Sequence, residues 1–204
     1  MKTIIDKIKA LNAKEKRVIV GIDGLGGAGK STVSEDIKDT LEQDGIPVLL
    51  LHIDDFIHPR AVRYNGNYEE WECYYNLQWR YDYLIENVLS PIKENEDFST
   101  SIELYDKDND TYTSQEITVS DGSVVIIEGI FLQRPELDGV FNYMIYIDVP
   151  EEERLMRVLK RDGYIGDEKQ IEEKYNNRYF PAERYYASRY QPSEKADTVI
   201  GIKE

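Results

Sequence analysis

A glycine-rich stretch near the start of the chain has the residue types and spacing of a phosphate-binding loop. It matches the pattern G-x-x-x-x-G-K-[ST]. Glycines allow backbone N–H groups to point at phosphate oxygens, and the following helix adds the positive end of its dipole. A lysine reaches the β- and γ-phosphates, and a serine hydroxyl can ligate Mg²⁺. The stretch predicts nucleoside triphosphate binding through Gly24, Gly26, Gly27, Ala28, Gly29, Lys30, Ser31 and Thr32.

Acidic residues directly follow two apolar runs that are typical of buried strands. Asp54 and Asp55 come after residues 48–53, and Glu128 comes after residues 124–127. Phosphoryl transfer to a hydroxyl gains from a carboxylate that accepts the proton, and Asp54 is favoured for this role over Asp55. Asp54 and Glu128 are also candidate Mg²⁺ ligands beside the loop serine. The structural alternatives are a paired-aspartate turn and a carboxylate that only caps a strand end.

Three arginines lie on one face of a predicted helix. Arg154, Arg157 and Arg161 are three and four residues apart. In an acidic chain such a face can simply pair with neighbouring acids. It can also belong to a lid that lays guanidinium groups on the transferring phosphate, with Gly163 and Gly166 as flexible points. The lid is the favoured interpretation.

The elements that must position these groups alternate between strands and helices. This order indicates a parallel sheet with helices on both faces. Ligands of such sheets bind at the carboxyl ends of the strands, where the loop and the acids above are expected to meet. The predicted strands are 17–23, 48–53, 124–127, 143–147 and 198–202, with a hairpin from 102–105 and 116–119. The predicted helices are 1–16, 31–43, 68–89, 150–161 and 167–190, and 95–100 is predicted as a polar connection.

The composition of the chain limits the kinds of molecule that it is expected to bind. The 204 residues are expected to form one domain, and the net charge of −15 disfavours nucleic acid and anionic membrane. No apolar run reaches the length of a membrane span, and no signal peptide is recognisable, so a cytoplasmic protein is expected. A small polar substrate fits this charge better, and homo-oligomerisation is left open. The 16 tyrosines are interpreted mainly as packing residues, and His52 as a core residue.

Four stretches of the chain resemble the uridine kinase and phosphoribulokinase-like group of P-loop kinases. They are residues 21–32, 52–56, 105–130 and 153–162. They are similar to the phosphate-binding loop, the strand end with the catalytic aspartate, the substrate hairpin with the metal-site glutamate, and the start of the lid. The chain looks closest to an uncharacterised bacterial branch that resembles uridine kinases.

The resemblance implies a P-loop NTPase fold, a three-layer α/β/α sandwich with a mainly parallel five-stranded sheet. Within a single domain, 1–204, it implies a substrate-binding excursion at about 57–119 and a helical lid at about 151–180. It also implies transfer of the γ-phosphate of ATP, with Mg²⁺, to a hydroxyl of a nucleoside-like or other small polar acceptor. Asp54, Lys30, Arg157 and Arg161 are then catalytic. The acceptor site is predicted to contain Asp55, Tyr105, Asp106, Arg63 and Trp79.

The segments expected to contact the acceptor depart from the pattern of uridine kinases. Their hairpin histidine is replaced by a residue near Asp110, and their Asn-Phe-Asp-His-Pro segment by residues 76–79. The ATP machinery is therefore predicted to be retained, with a changed acceptor pocket. The alternative function is a nucleotide-binding or hydrolysing switch. A GTPase would be expected to carry an Asn-Lys-x-Asp motif, which the sequence lacks.

Overall fold

The computed structural model describes residues 1–94 and 98–201, and the strands within them form two separate sheets. The larger sheet has five strands in the order β2–β5–β1–β6–β7, and every pairing in it is parallel. The smaller sheet is the antiparallel hairpin β3–β4. The strands are β1 Val18–Gly24, β2 Val48–His52, β3 Phe98–Asp106, β4 Thr111–Val119, β5 Val124–Gly129, β6 Tyr143–Asp148 and β7 Thr198–Gly201.

The helices of the described residues connect these strands and cover the larger sheet. They are α1 Lys2–Asn12, α2 Lys30–Gln43, α3 Arg60–Arg63, α4 Glu70–Leu77, α5 Tyr81–Leu84, α6 Ser90–Glu94, α7 Glu151–Arg161, α8 Glu168–Lys174, α9 Phe180–Tyr190 and α10 Pro192–Lys195. Short π-helical turns at Ile85–Leu89 and Tyr175–Tyr179 link α5 to α6 and α8 to α9. No helix of the described ranges is both long enough and apolar enough to cross a membrane.

The alternation of side chains along β1 divides the core into two layers. Val18, Val20 and Ile22 are buried against the layer formed by α1 and α2. Ile19 points to the opposite face and packs in the cluster that includes residues of α4, α9 and the hairpin. Both faces of the central strands are therefore covered, as buried parallel strands require. The predicted three-layer α/β/α fold with a parallel five-stranded sheet is confirmed.

The hairpin is longer than the sequence suggested. Nine residue pairs join β3 to β4, from Phe98–Val119 at the open end to Asp106–Thr111 at the turn. Serines and threonines on the exposed face alternate with buried residues such as Ile102 and Ile117. A strand with one polar face does not form a continuous apolar run, so it is not recognised when strands are predicted from such runs. The predicted polar connection 95–100 is therefore wrong for 98–100, and its first three residues lie outside the described ranges, as does the last residue of the predicted strand 198–202.

The single helix predicted over 68–89 is interrupted in the middle. The His58 N–H donates to the Gln78 carbonyl at 2.9 Å, and the Arg80 N–H donates to the Phe56 carbonyl at 2.8 Å. Trp79 forms an isolated antiparallel bridge with Ile57. The backbone of residues 78–80 thus pairs with the segment after β2 instead of continuing the helix. This pairing fixes Trp79, one of the predicted acceptor residues, against the segment that follows β2.

Candidate active site

The phosphate-binding loop joins the end of β1 to the first residue of α2. Gly27 and Gly29 have φ values of 81° and 95°, a left-handed conformation that favours glycine. The Ala28 N–H donates to the Leu25 carbonyl at 3.1 Å and closes the turn. A side chain on Gly27 would also lack space, because its Cβ would lie 2.9 Å from Cγ1 of Val158. Gly27 is therefore required by both the backbone conformation and the packing of α7, whereas Gly29 is required by the backbone conformation.

We expect Gly27→Ala to lower nucleotide affinity by about tenfold or more, because the new methyl group adds left-handed strain and a steric overlap with α7. Nucleotide titration calorimetry measures this change. Gly45→Ala is the matched control, since Gly45 has a φ of 78° but a methyl group there would have no atom within 4 Å beyond its chain neighbours. The control should lose stability while keeping its nucleotide affinity. Equal losses of affinity in both variants would contradict the packing argument.

Glu128 lies beside the loop because β5 is the neighbour of both β1 and β2. Its Oε1 accepts a hydrogen bond from Ser31 Oγ at 3.2 Å and lies 2.6 Å from His52 Nδ1. Burial raises the pKa of the Glu128 carboxyl, but the hydrogen bond with His52 and the charge of Lys30 outweigh it and hold the pKa below its usual value. The adjacent serine and carboxylate oxygens fit a site for Mg²⁺, a cation that prefers oxygen ligands.

His52 is a residue of this site, and its interpretation as a core residue is wrong. It is the last residue of β2 and its side chain is 37% exposed. The hydrogen bond with Glu128 raises the pKa of His52. His52 lies in an apolar run of the sequence, and that run indicates only a buried strand. The pairing of β2 with β5 sets His52 opposite Glu128, and this pairing cannot be predicted from the run itself.

The two aspartates after β2 have different environments. They lie in a single 3₁₀ turn, Ile53–Asp55. Asp54 is exposed and lines a cleft beside the phosphate-binding loop. Asp55 is half-buried and is not part of the cleft lining, and burial raises the pKa of its carboxyl. Of the two, Asp54 is the one open to a ligand in the cleft.

The three arginines of α7 contact different parts of the site, although they lie on one face of the helix. Arg154 is 2% exposed and donates from Nη1 to Glu183 Oε2 at 2.5 Å and to the Gly26 carbonyl at 3.1 Å. Arg157 Nη1 lies 3.3 Å from the carbonyls of both Gly27 and Ala28. These two arginines therefore brace the loop from outside. Helical spacing predicted that all three arginines would contact the same ligand. The packing of α7 on the loop instead turns Arg154 and Arg157 toward the loop backbone.

Arg161 is the α7 arginine that lines the cleft. Its Nε donates to Asp162 Oδ1 at 2.6 Å, and the hydroxyl of Tyr175 donates to Asp162 Oδ2 at 2.6 Å. Asp162 is itself buried, so the end of α7 is fixed against the start of the π turn that follows α8. The guanidinium of Arg161 is thereby held at the edge of the cleft.

The helix α9 supplies two buried groups to the loop that sequence reasoning missed. Glu183, 1% exposed, accepts a hydrogen bond from the Gly26 N–H at 2.9 Å. Burial raises the pKa of Glu183, although the charge of Arg154 acts in the opposite direction. The hydroxyl of Tyr186 donates to Asp23 at 2.5 Å, just before the loop. The available signal was the three-residue spacing of Glu183 and Tyr186, which puts both on one face of a helix.

The predicted acceptor residues divide into two groups. Arg63 and Tyr105 line the cleft, and Arg63 Nη2 donates to the Tyr105 hydroxyl at 2.7 Å. Asp106 instead accepts hydrogen bonds from its own turn, including the Asp108 N–H at 2.9 Å. Trp79 is buried against Tyr74 and is not a lining residue. The last two residues, and Asp55, are thus not brought to the cleft surface.

The cleft has a volume of about 580 Å³ and brings together the loop, the hairpin, α3 and the predicted lid. Six of the 16 tyrosines line it, more than the interpretation as packing residues implied: Tyr64, Tyr74, Tyr105, Tyr164, Tyr175 and Tyr179. Others, such as Tyr143, lie in the core. A volume of this size suits a nucleotide phosphate group together with a small second molecule.

A phosphate-binding loop at the carboxyl edge of a parallel sheet, with a serine–glutamate pair and an open aspartate, defines a P-loop phosphotransferase. The chain belongs to the Phosphoribulokinase / Uridine kinase family, whose pattern it matches over residues 19–191. It is an ATP-dependent kinase that phosphorylates a hydroxyl group of a small molecule, as the sequence predicted.

The similarity extends to individual members and to their fold. The chain is 32% identical over 150 residues to a uridine kinase of Staphylococcus haemolyticus, covering 71% of this chain and 68% of that protein. It is 30% identical to a uridine kinase of Oceanobacillus iheyensis over 73% of this chain and 69% of that protein. The structure of a possible uridine kinase from Bacillus stearothermophilus superposes with a TM-score of 0.74 at 31% identity, covering 97% and 99% of the two chains.

Proposed function

We propose that this kinase transfers the γ-phosphate of Mg²⁺-ATP to a hydroxyl of a small polar acceptor bound in the cleft, with Asp54 as the proton acceptor. The observation that carries the proposal is the meeting of Lys30, Ser31, Glu128 and Asp54 at the lining of one cleft. Uridine is the first acceptor to test, because the similar proteins named above are uridine kinases.

In the proposed reaction, each residue has one task. The N–H groups of the loop and Lys30 hold the phosphates, and Arg161, at the edge of the cleft, offsets the charge that develops on the transferred group. Arg157, which the resemblance assigns to the same role, contacts the carbonyls of Gly27 and Ala28 instead and supports the loop from outside the cleft. Ser31 and Glu128 would hold Mg²⁺, which neutralises phosphate charge when bound. Asp54 accepts the proton as the acceptor hydroxyl attacks.

The proposed acceptor end of the cleft is formed by three elements. α3 contributes Arg63, the hairpin contributes Tyr105, and the segment after α8 contributes Tyr175 and Tyr179. Tyrosine rings can pack against the face of a sugar or a base while their hydroxyls bind polar groups. The size and polarity of this wall support a small hydroxyl-bearing compound.

The direct test is ADP release measured with Mg²⁺-ATP in the presence of uridine, cytidine, pentoses and polyols. Acceptor-stimulated ADP release with a phosphorylated product, identified by mass spectrometry, would support the proposal. Slow ADP release that no acceptor stimulates would count against it, and would favour a nucleotide-hydrolysing switch.

The metal role of Glu128 makes a separate prediction. Glu128→Gln should raise the Mg²⁺ concentration for half-maximal activity by about 10- to 100-fold, because the variant loses a charged oxygen ligand. Mg²⁺-dependent ADP binding gives the same comparison without turnover. Glu103→Gln is the control, since Glu103 is exposed and pairs with Arg80 at 2.8 Å on the hairpin. An unchanged Mg²⁺ requirement in Glu128→Gln would remove Glu128 from the metal site.

A further inference from the structure

The lining of the cleft has the opposite charge balance to the rest of the chain. The chain has 25 lysines and arginines and 40 acidic residues. The cleft is lined by three acidic residues, Asp54, Glu128 and Glu183, and by six basic ones: Lys30, Arg60, Arg63, Lys107, Arg161 and Lys174. Lys30 and Arg161 are accounted for by the phosphates of ATP. The remaining four line the part of the cleft proposed for the acceptor, and of the three acids only Asp54 belongs to that part.

These four basic residues come from three elements that meet at the acceptor end. Arg60 and Arg63 lie on α3, Lys107 lies in the hairpin turn, and Lys174 ends α8. Arg60 Nη2 donates to the Lys107 carbonyl at 2.9 Å, and Lys174 Nζ donates to the Tyr64 hydroxyl at 3.3 Å. The charges are therefore held around one space by the fold.

Arg63 is buried at the acceptor end of the cleft, and its hydrogen-bond partners are neutral groups. It is 8% exposed, and its guanidinium donates to the His58 carbonyl and to the Tyr105 hydroxyl. The Tyr105 hydroxyl in turn donates to Asp110 Oδ1 at 2.6 Å, at the hairpin turn. These contacts satisfy N–H groups, but no carboxylate of the described residues forms an ion pair with Arg63. The hydrogen bond from Tyr105 is the main cause of the lowered pKa of Asp110, and the charge of Arg63 adds to it, but the Tyr105 hydroxyl lies between the two charged groups. A buried charge with no directly paired carboxylate is costly, and a ligand oxyanion that binds it removes part of that cost.

Other buried arginines of the chain form a direct ion pair with a carboxylate. Arg134 pairs with Glu136, and Arg154 pairs with Glu183, both at 2.5 Å. Arg178 is the second exception in the part of the chain that is described. It is 1% exposed, and it donates to the backbone carbonyls of Glu70 and Arg63 and to the Gln78 side chain. Arg178 thus contacts the backbone of Arg63, and neither arginine has a direct ion pair with a carboxylate of the described residues.

We propose that the acceptor is an anion, a hydroxyl-bearing compound whose carboxylate or phosphate group binds against Arg63, with Arg60, Lys107 and Lys174 around it. This inference rests on the proposed function, because it assigns a chemical class to the acceptor of that reaction. A planar guanidinium donates two parallel hydrogen bonds to either kind of oxyanion. Uridine, which has no anionic group, would leave these charges unpaired.

The test compares acceptors that share one carbon skeleton: ribose, ribonate and ribose 5-phosphate. The ADP-release assay should give a kcat/KM at least about tenfold higher for an anionic member than for ribose, as expected for hydrogen bonds between charged groups. Which anionic member is preferred distinguishes a carboxylate from a phosphate. Increasing ionic strength should raise KM for the anionic acceptor and leave KM for ribose nearly unchanged.

Two variants assign the effect to this wall. Arg63→Met should raise KM for the anionic acceptor by about tenfold or more and change KM for ribose far less. Lys107→Gln, at an exposed position, covers the case in which Arg63→Met does not fold, and should act in the same direction. Arg184→Gln removes an exposed charge on α9 that pairs with Glu151, so it controls for the change of net charge. Equal effects of Lys107→Gln and Arg184→Gln would overturn the proposal.

Binding without turnover separates this inference from the proposed function. Calorimetric titration with ribonate and ribose 5-phosphate should show an affinity that Arg63→Met or Lys107→Gln weakens and Lys30→Met does not. Affinity that depends only on Lys30 would mean that the anion binds the phosphate-binding loop, and would overturn the inference. Kinase activity with ribose or uridine at least equal to that with the anionic acceptors would also overturn it, while leaving the proposed function intact.

Discussion

Asp54→Asn is expected to lower kcat by about 10²- to 10⁴-fold while nucleotide affinity stays within a few-fold, because the change removes the proposed proton acceptor and leaves the phosphate-binding loop intact. Asp54 is exposed in the cleft, and asparagine has nearly the same shape. Steady-state ADP release with a saturating acceptor measures the loss, and calorimetry with ADP measures the affinity.

Asp55→Asn is the matched comparison for this prediction. Asp55 is the next residue in the same 3₁₀ turn, is half-buried and does not line the cleft. Its substitution should have a much smaller effect on kcat than that of Asp54. The reverse order of effects would assign the base to Asp55, and no loss in either variant would remove both residues from proton transfer.

Glu183→Ala is expected to have the largest effect on stability, a loss of about 3–5 kcal/mol, because it leaves the buried guanidinium of Arg154 without its carboxylate. It also removes the acceptor of the Gly26 N–H, so nucleotide affinity should fall with stability. For a chain of this size, the midpoint of thermal unfolding should fall by roughly 6–20 °C. Urea denaturation measures the free energy of unfolding directly.

A second ion pair between the same two helices provides the control. Glu151 of α7 pairs with Arg184 of α9, and their side chains are 32% and 62% exposed. Glu151→Ala should cost only about 0–1 kcal/mol, because solvent screens exposed pairs. The double variant Arg154→Leu/Glu183→Leu should recover part of the loss, since it buries no unpaired charge. Similar losses in Glu151→Ala and Glu183→Ala would show that burial does not decide the strength of these pairs.

The helical boundaries show where local patterns fail. Residues 68–89 carry a helical spacing of aromatic and aliphatic side chains, yet Gln78 and Arg80 pair their backbones with His58 and Phe56. That pairing depends on a strand-like segment about 20 positions away in the sequence. A local pattern contains no information about it, because the competing hydrogen bonds form only when the two segments meet.

Several parts of the site could be predicted because the residues that form each part are neighbours in the sequence. The loop from Gly24 to Ser31 uses neighbouring residues to build one anion cradle, and the following helix begins within the motif. Asp54 and Glu128 could be predicted because each directly follows a buried apolar strand, and parallel strands end at a common edge. The order of strands and helices was sufficient for the fold class for the same reason.

What the sequence determined alone was the phosphate-binding loop and the parallel sheet, since each depends on neighbouring residues or on simple periodicity. The class of reaction came from the resemblance of four stretches of the sequence to a family of kinases. Only the tertiary structure decided the contacts between distant residues. It set His52 against Glu128, 76 positions apart, and Arg154 against Glu183, 29 positions apart. It also buried Arg63 and Arg178 without a direct ion pair to any carboxylate in the described part of the chain, and put the Arg178 side chain in contact with the Arg63 backbone. The physical reason is that the environment of a charge depends on which surfaces pack around it, and that packing is set by the whole chain.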